Sequence, residues 1–259
     1  MSVHSKFILT PIETILDEAS NITRGIGGGI EIYPVWEYIL QSILLKMTGA
    51  QEQKMKCICW EIASVDYDIR RDIYIKWDLG ECSTFKHKRK ILKYLLEALK
   101  KIKNDFNVES TIDLNKIFFD TKDILKKFYE ESGTSGFMKK TYEEYIEIYN
   151  SIGPDCLSKE LIFNNCENCR HKNDLTKPYT CAQKKNLVYM CDSLYHFRNR
   201  IAHNLLSYQH NKPNFDTFID NDVIYENYFI RFSLLIIIDK LFISLFKSFK
   251  DELDLSKLF

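Results

Sequence analysis

The sequence predicts an all-α protein. Apolar residues recur at three and four positions along most of the chain, the period of a helix with one buried face. Capping residues and Gly/Pro punctuation fall at the ends of those periodic stretches. Only one short run, IYIKW at 73–77, alternates like a strand, and a lone run makes no sheet.

The elements follow in order. Pro34 opens PVWEYILQSILLKMTGAQEQKMKCICWEIASV, as proline suits a first helical turn, and Gly49 is expected to break or bend it. Ser83 or Thr84 caps STFKHKRKILKYLLEALKKIKNDF, whose buried stripe is Leu92, Leu95, Leu96 and Leu99. Asp113 starts DLNKIFFDTKDILKKFYEES, which ends before Gly133. MKKTYEEYIEIYNSIG follows and stops at Gly153-Pro154. A loop rich in Cys, Asn and Lys covers about 164–184. KKNLVYMCDSLYHFRNRIAHNLL then forms a helix, and a long apolar helix closes the chain. GIGGGI at 25–30 resembles a phosphate loop only superficially. It lacks the Lys-Ser/Thr and the preceding strand, so a flexible turn between helices is expected. The expected architecture is one domain, 1–259, a bundle of roughly six or seven helices.

Composition sets limits on function. Lys+Arg and Asp+Glu both number 36, so the formal net charge is zero. Bulk charge therefore names no nucleic-acid or membrane partner, and a partner must be read from a local patch. The N-terminus MSVHSKFILTPIETILDEAS has no continuous apolar run, so no export signal is expected. The most apolar stretch, 228–246, is interrupted by Arg231, Asp239 and Lys240. A buried helix is expected there, not a membrane span. With eight cysteines and no export signal, a cytoplasmic, reducing location without disulfides is the expectation.

Residues 195–204, YHFRNRIAHN, hold two arginines, two histidines and two asparagines. At 100° per residue with Leu194 at zero, Leu187, Met190, Cys191, Phe197, Ile201 and Leu205 cluster as a packing stripe. Asp192, His196, Asn199 and His203 fall at about 160°, 200°, 140° and 180°, a polar stripe on the other side. Histidine exchanges protons near neutrality, and a forked arginine suits a phosphate. His196 also reads as an exposed partner of Asp192, four residues earlier.

RNRIAH, 198–203, resembles the signature of the HEPN superfamily: an Arg, a polar residue, then a His after four to six intervening positions. The setting is similar too, an all-α chain with the motif on a late helix and one long helix after it. The resemblance implies an HEPN-like helical bundle that homodimerises and cuts RNA by 2′-hydroxyl attack, without a catalytic metal. It also implies a toxin–antitoxin or phage-defence role, with an antitoxin or defence-system partner. Carried onto this chain, His203 is the general acid/base, Arg198 holds the phosphate and Asn199 supports the site. Arg198 and His203 lie about 140° apart on a straight helix. A bend, a long reach or a second subunit is needed to unite them. Arg200, about 60° from His203, is an RNA-contacting candidate, with His196 and Tyr195, and Tyr208 is a further flanking ring.

Two plainer readings stand beside this one. A non-catalytic HEPN module could bind RNA or a protein partner, because fold does not fix chemistry. A structural helical protein could use these side chains as a solvated face, paired with Asp192 or Glu226.

The loop CENCRHKNDLTKPYTC, 166–181, contains half of a zinc site in Cys166 and Cys169. Cys181 supplies a third thiolate, and the fourth ligand is His171, Cys156 or Cys191. A structural zinc is one reading, and free thiols are the other, since a second CxxC is absent. Cys57, Cys59 and Cys82 read as small core residues. KHKRK, 86–90, with Lys100, Lys101 and Lys103, reads either as a guide for RNA phosphates or as a solvated face.

Overall fold

A computed structural model describes residues 2–26, 30–76, 80, 82–158, 187–203 and 227–256. The fold is all-α, and the described residues contain no strand. The helices are α1 (Val3–Leu9), α2 (Thr14–Thr23), α3 (Tyr33–Val65), α4 (Tyr67–Lys76) and α5 (Phe85–Ile102). They continue with α6 (Val108–Thr111), α7 (Leu114–Glu131), α8 (Lys139–Ser158), α9 (Leu187–His203) and α10 (Tyr228–Ser256). Short α1, α4 and α6 take the bundle beyond the six or seven helices expected. α1 and α6 span only seven and four residues, too few for a sustained apolar period, and α4 ends in the run that alternates like a strand.

The caps act where the sequence places them. Thr84 Oγ1 accepts from the His87 amide at 3.3 Å, and Asp113 Oδ1 accepts from the Lys116 amide at 2.9 Å. Each satisfies one of the amides a helix start leaves unbonded. Asp66 does the same for α4, accepting from the Ile69 amide at 2.9 Å. Ile73 to Lys76 of the alternating run are therefore helical, and Trp77 lies outside the described residues.

Two expected stops are corrected. α3 runs 33 residues, unbroken through Gly49. One glycine costs a helix about 1 kcal/mol, and the neighbouring buried apolar residues Leu44, Met47, Met55 and Ile58 outweigh it. At Gly153 the chain does leave helical geometry, with φ 68° and ψ 164°, yet α8 resumes and reaches Ser158. Pro154 forces the residue before it out of the α region but is itself suited to a new first turn. Gly133 ends α7 as expected. Its φ is +79°, and a Cβ there would sit 3.2 Å from the Ile26 carbonyl oxygen, so both backbone and space require glycine.

α10 is the central post. It contacts α1, α3, α5, α6, α7, α8 and α9, and Phe232, Ile236, Leu245, Phe246 and Phe249 are fully buried along it. Each such side chain contributes about 1.5–3 kcal/mol of burial. The charges that interrupt its apolar run are accommodated inside the bundle. Asp239 accepts from Lys54 of α3 at 2.7 Å and from the Ile12 amide at 2.9 Å. Arg231 lies over the Phe197 ring at 3.4 Å, a cation–π contact. Among the described residues, no helix is long and apolar enough to cross a membrane.

Candidate functional site

α9 packs across α3, α5 and α10. Met190, Cys191, Leu194 and Ile201 are buried, and Phe197 is partly buried. That is the stripe read from the sequence, apart from Leu187, whose side chain is not described, and Leu205, which lies outside the described residues. On the other side, Asp192 and His196 are exposed and Asn199 is half-buried. The helix reaches His203 as one α-helix through the motif. The backbone of His203 is in the helix, and its side chain is not described.

Arg198 has a definite partner. Its Nη2 donates to Glu52 Oε2 of α3 at 3.1 Å, and its Nη1 donates to Asn199 Oδ1 at 3.0 Å. The carboxylate is not Asp192, and Glu226 lies outside the described residues. Glu52 is nearer because Arg198 sits on the flank of the packing stripe, where α3 passes. Side-chain exposures of 23% for Arg198 and 11% for Glu52 leave the pair partly open. The Arg198 Nε donor is buried and has no hydrogen-bond partner among the described residues.

The network extends beyond that pair. Hydrogen bonds from Asn199 and then Ser83 hold the Tyr195 phenol below the usual tyrosine range, because they favour the charged oxygen. Lys88 of α5 donates to the Ser83 carbonyl oxygen and is buried. Burial lowers its pKa, while the nearby Cys191 and Glu52 oppose that shift. The run KHKRK is therefore split, with Lys86 exposed and Lys88 inside. Glu52, Arg198, Asn199, Tyr195 and Ser83 join α3, α9 and the start of α5 in one polar seam.

The outer residues differ. Arg200 is exposed and its guanidinium lies 5.0 Å from the Phe197 ring centre. The His196 ring centre is 6.1 Å from that of Tyr195. Asp192 has its pKa raised by partial burial and drawn back by His196, one turn on.

No protein-family model matches this chain, and no curated protein or solved structure matches it.

The cysteine loop, with Cys166, Cys169, His171 and Cys181, lies outside the described residues, as does Tyr208. Cys156 falls in the last turn of α8, and its side chain is not described. Cys191 is buried in the packing stripe of α9, which leaves it a poor zinc ligand. Cys59 and Cys82 are buried, as read from the sequence, while Cys57 packs only partly against the core. Among the described residues, no group of three or more His, Cys, Asp or Glu is placed to hold a metal.

Glu52 is the residue that sequence reasoning missed. A signal existed: Gln51, Glu52 and Lys54 place polar groups among buried residues of α3. Long charged side chains are almost never buried without a partner. Their positions demanded counter-groups elsewhere in the chain.

Proposed function

We propose that this protein is a metal-independent endoribonuclease of HEPN type, acting as a homodimer in a toxin or phage-defence role. Its catalytic set is Arg198, Asn199 and His203. The observation that carries the reading is the partly open Arg198–Glu52 pair, with Asn199 holding a second guanidinium nitrogen. That arrangement orients a guanidinium that is still partly exposed at the edge of the core, a suitable group for a phosphate oxygen.

The reaction runs by attack of an RNA 2′-hydroxyl on the adjacent phosphorus. The P–O5′ bond breaks, leaving a 2′,3′-cyclic phosphate and a 5′-hydroxyl. His203 takes the 2′-hydroxyl proton or delivers one to the leaving oxygen. Proton transfer of this kind contributes about 10²–10⁴ in rate. Arg198 stabilises the charge that develops on the phosphate. A second copy across a two-fold axis supplies the proximity that one straight helix denies to Arg198 and His203. Arg200 and His196 lie outside the seam and contact RNA beside the cut. Their exposure favours this role. A zinc, if held by the cysteine loop, serves structure and no step of the reaction.

A second reading is a non-catalytic module that binds RNA or a protein partner. The same ion pair favours it, since an arginine already matched to a carboxylate can serve packing alone.

The test is incubation of the protein with total RNA in EDTA. Cleavage that persists under chelation and is lost in His203→Ala supports the nuclease. Binding without cleavage supports the module. The absence of both rejects the nuclease and the RNA-binding module together.

A further inference from the structure

We propose that the outer face of α5 is a track for single-stranded RNA that feeds the exposed face of α9. The choice of polymer rests on the nuclease reading, whereas the track itself stands on the charge and shape of the groove. The groove has a volume of about 600 Å³ and is walled by Lys86, Arg89, Lys90, Lys93 and Lys100. Set against these five cations, the lining carries two carboxylates, Glu97 and Asp192. On a helical wheel the five fall within a sector of about 100°, opposite the buried Leu95.

Several lysines elsewhere on the bundle are tied across segments. Lys46, Lys101, Lys103 and Lys127 each meet a carboxylate from another segment, at 2.6–2.9 Å. Along α5, Lys86 faces Lys90 and Arg89 faces Lys93 at the four-residue spacing where like charges repel. Lys93 has an intrahelical partner, Glu97, but only at 3.7 Å. A helix gains no stability from such crowding. A polyanion does gain from it, because each phosphate neutralised releases condensed counterions.

The length and the exit also fit a strand. From Lys86 to Lys100 the helix rises about 21 Å, the span of roughly six stacked nucleotides at about 3.4 Å each. The groove is bounded on the α9 side by Asp192, one turn before His196 and two before Asn199. An acidic protein helix fits less well. Phe85 and Leu92 in the floor are only 4% and 5% exposed and Leu96 alone is partly open, whereas a docked helix anchors through several apolar side chains.

The test combines Lys86→Ala, Arg89→Ala and Lys93→Ala in one variant. Alanine is the best helix former, so α5 is preserved, and circular dichroism checks that it is. Binding of a labelled single-stranded RNA of about 12 nucleotides is followed by anisotropy in a His203→Ala background, which keeps the probe intact. The expected result is binding at least about tenfold weaker, with the log–log salt slope flattened by about 2. Unchanged affinity and slope overturn the track, even if the wild-type chain cuts RNA, in which case the nuclease survives alone. RNA that binds through the stripe but is never cut by the wild-type chain leaves the track standing and removes the nuclease. Failure to bind RNA, with capture of a polyglutamate peptide instead, overturns the track in favour of an acidic protein partner.

Discussion

Two residues of α3, two positions apart, carry opposite charges into the bundle, and their fates differ. Lys54 meets Asp239 of α10 with side-chain exposures of only 3% and 2%. Every strong demand there is met. Lys54 also donates to the Thr10 carbonyl oxygen, and Asp239 also accepts from the Ile12 amide. Glu52 meets Arg198 of α9 with exposures of 11% and 23%, and the buried Arg198 Nε has no partner among the described residues. The first pair is sealed and fixes the docking of α10 on α3 and the α1–α2 turn. The second is a hinge of charge at the edge of the core, open enough to share its cation with an incoming anion. A buried ion pair is weak evidence for stability by itself, but removing one partner is costly. The comparison therefore predicts a large structural effect at one pair and a smaller one at the other.

Asp239→Asn is the largest expected break. It leaves the Lys54 ammonium buried without its counter-charge, at a cost of about 3–5 kcal/mol, read as a lowered urea midpoint. The double variant with Lys54→Met recovers most of that loss. The pH dependence sharpens the case. Burial already lowers the Lys54 pKa below 10.5, against the pull of Asp239, and losing Asp239 lowers it further. Between that lowered value and about 10.5, the unfolded chain holds a proton that the folded chain has released. Stability of Asp239→Asn therefore rises as pH rises through this window. Stability that instead falls, or a flat profile shared with the double variant, would show that Lys54 finds another partner.

Glu52→Gln is the smaller break. Arg198 loses a charged acceptor but lies near enough to water to be partly resolvated, so the cost is about 1–2 kcal/mol. Chemical denaturation of the two single variants side by side ranks the pairs. Equal losses would erase the distinction drawn between a sealed pair and an open one.

Much of this fold was legible in the sequence for a simple reason. Periodicity reports burial, and caps report helix ends. The stripe Met190, Cys191, Leu194 and Ile201, the caps Thr84 and Asp113, and the stop at Gly133 all came from such local rules. Gly49 misled because a long helix with many buried anchors tolerates one weak residue. Gly153-Pro154 misled in part because a pair that breaks a helix also suits the start of the next turn. The partner of Arg198 was hidden for a different reason. Glu52 lies 146 positions away, and no local pattern states which carboxylate faces which cation. The split of KHKRK was hidden likewise. Only packing decides that Lys88 turns inward while Lys86 and Lys90 line the groove.

The most direct measurement of the central claim sets Arg198→Ala against the wild-type chain, with RNA cleavage in EDTA and urea stability followed on the same samples. If the open pair lends its arginine to a phosphate, cleavage drops by about 10²–10³ while stability falls by no more than about 1–2 kcal/mol, and Arg198→Lys restores stability better than it restores cleavage. Cleavage that is unchanged, or that declines only as the folded fraction declines, would contradict the account and return Arg198 to a purely structural role.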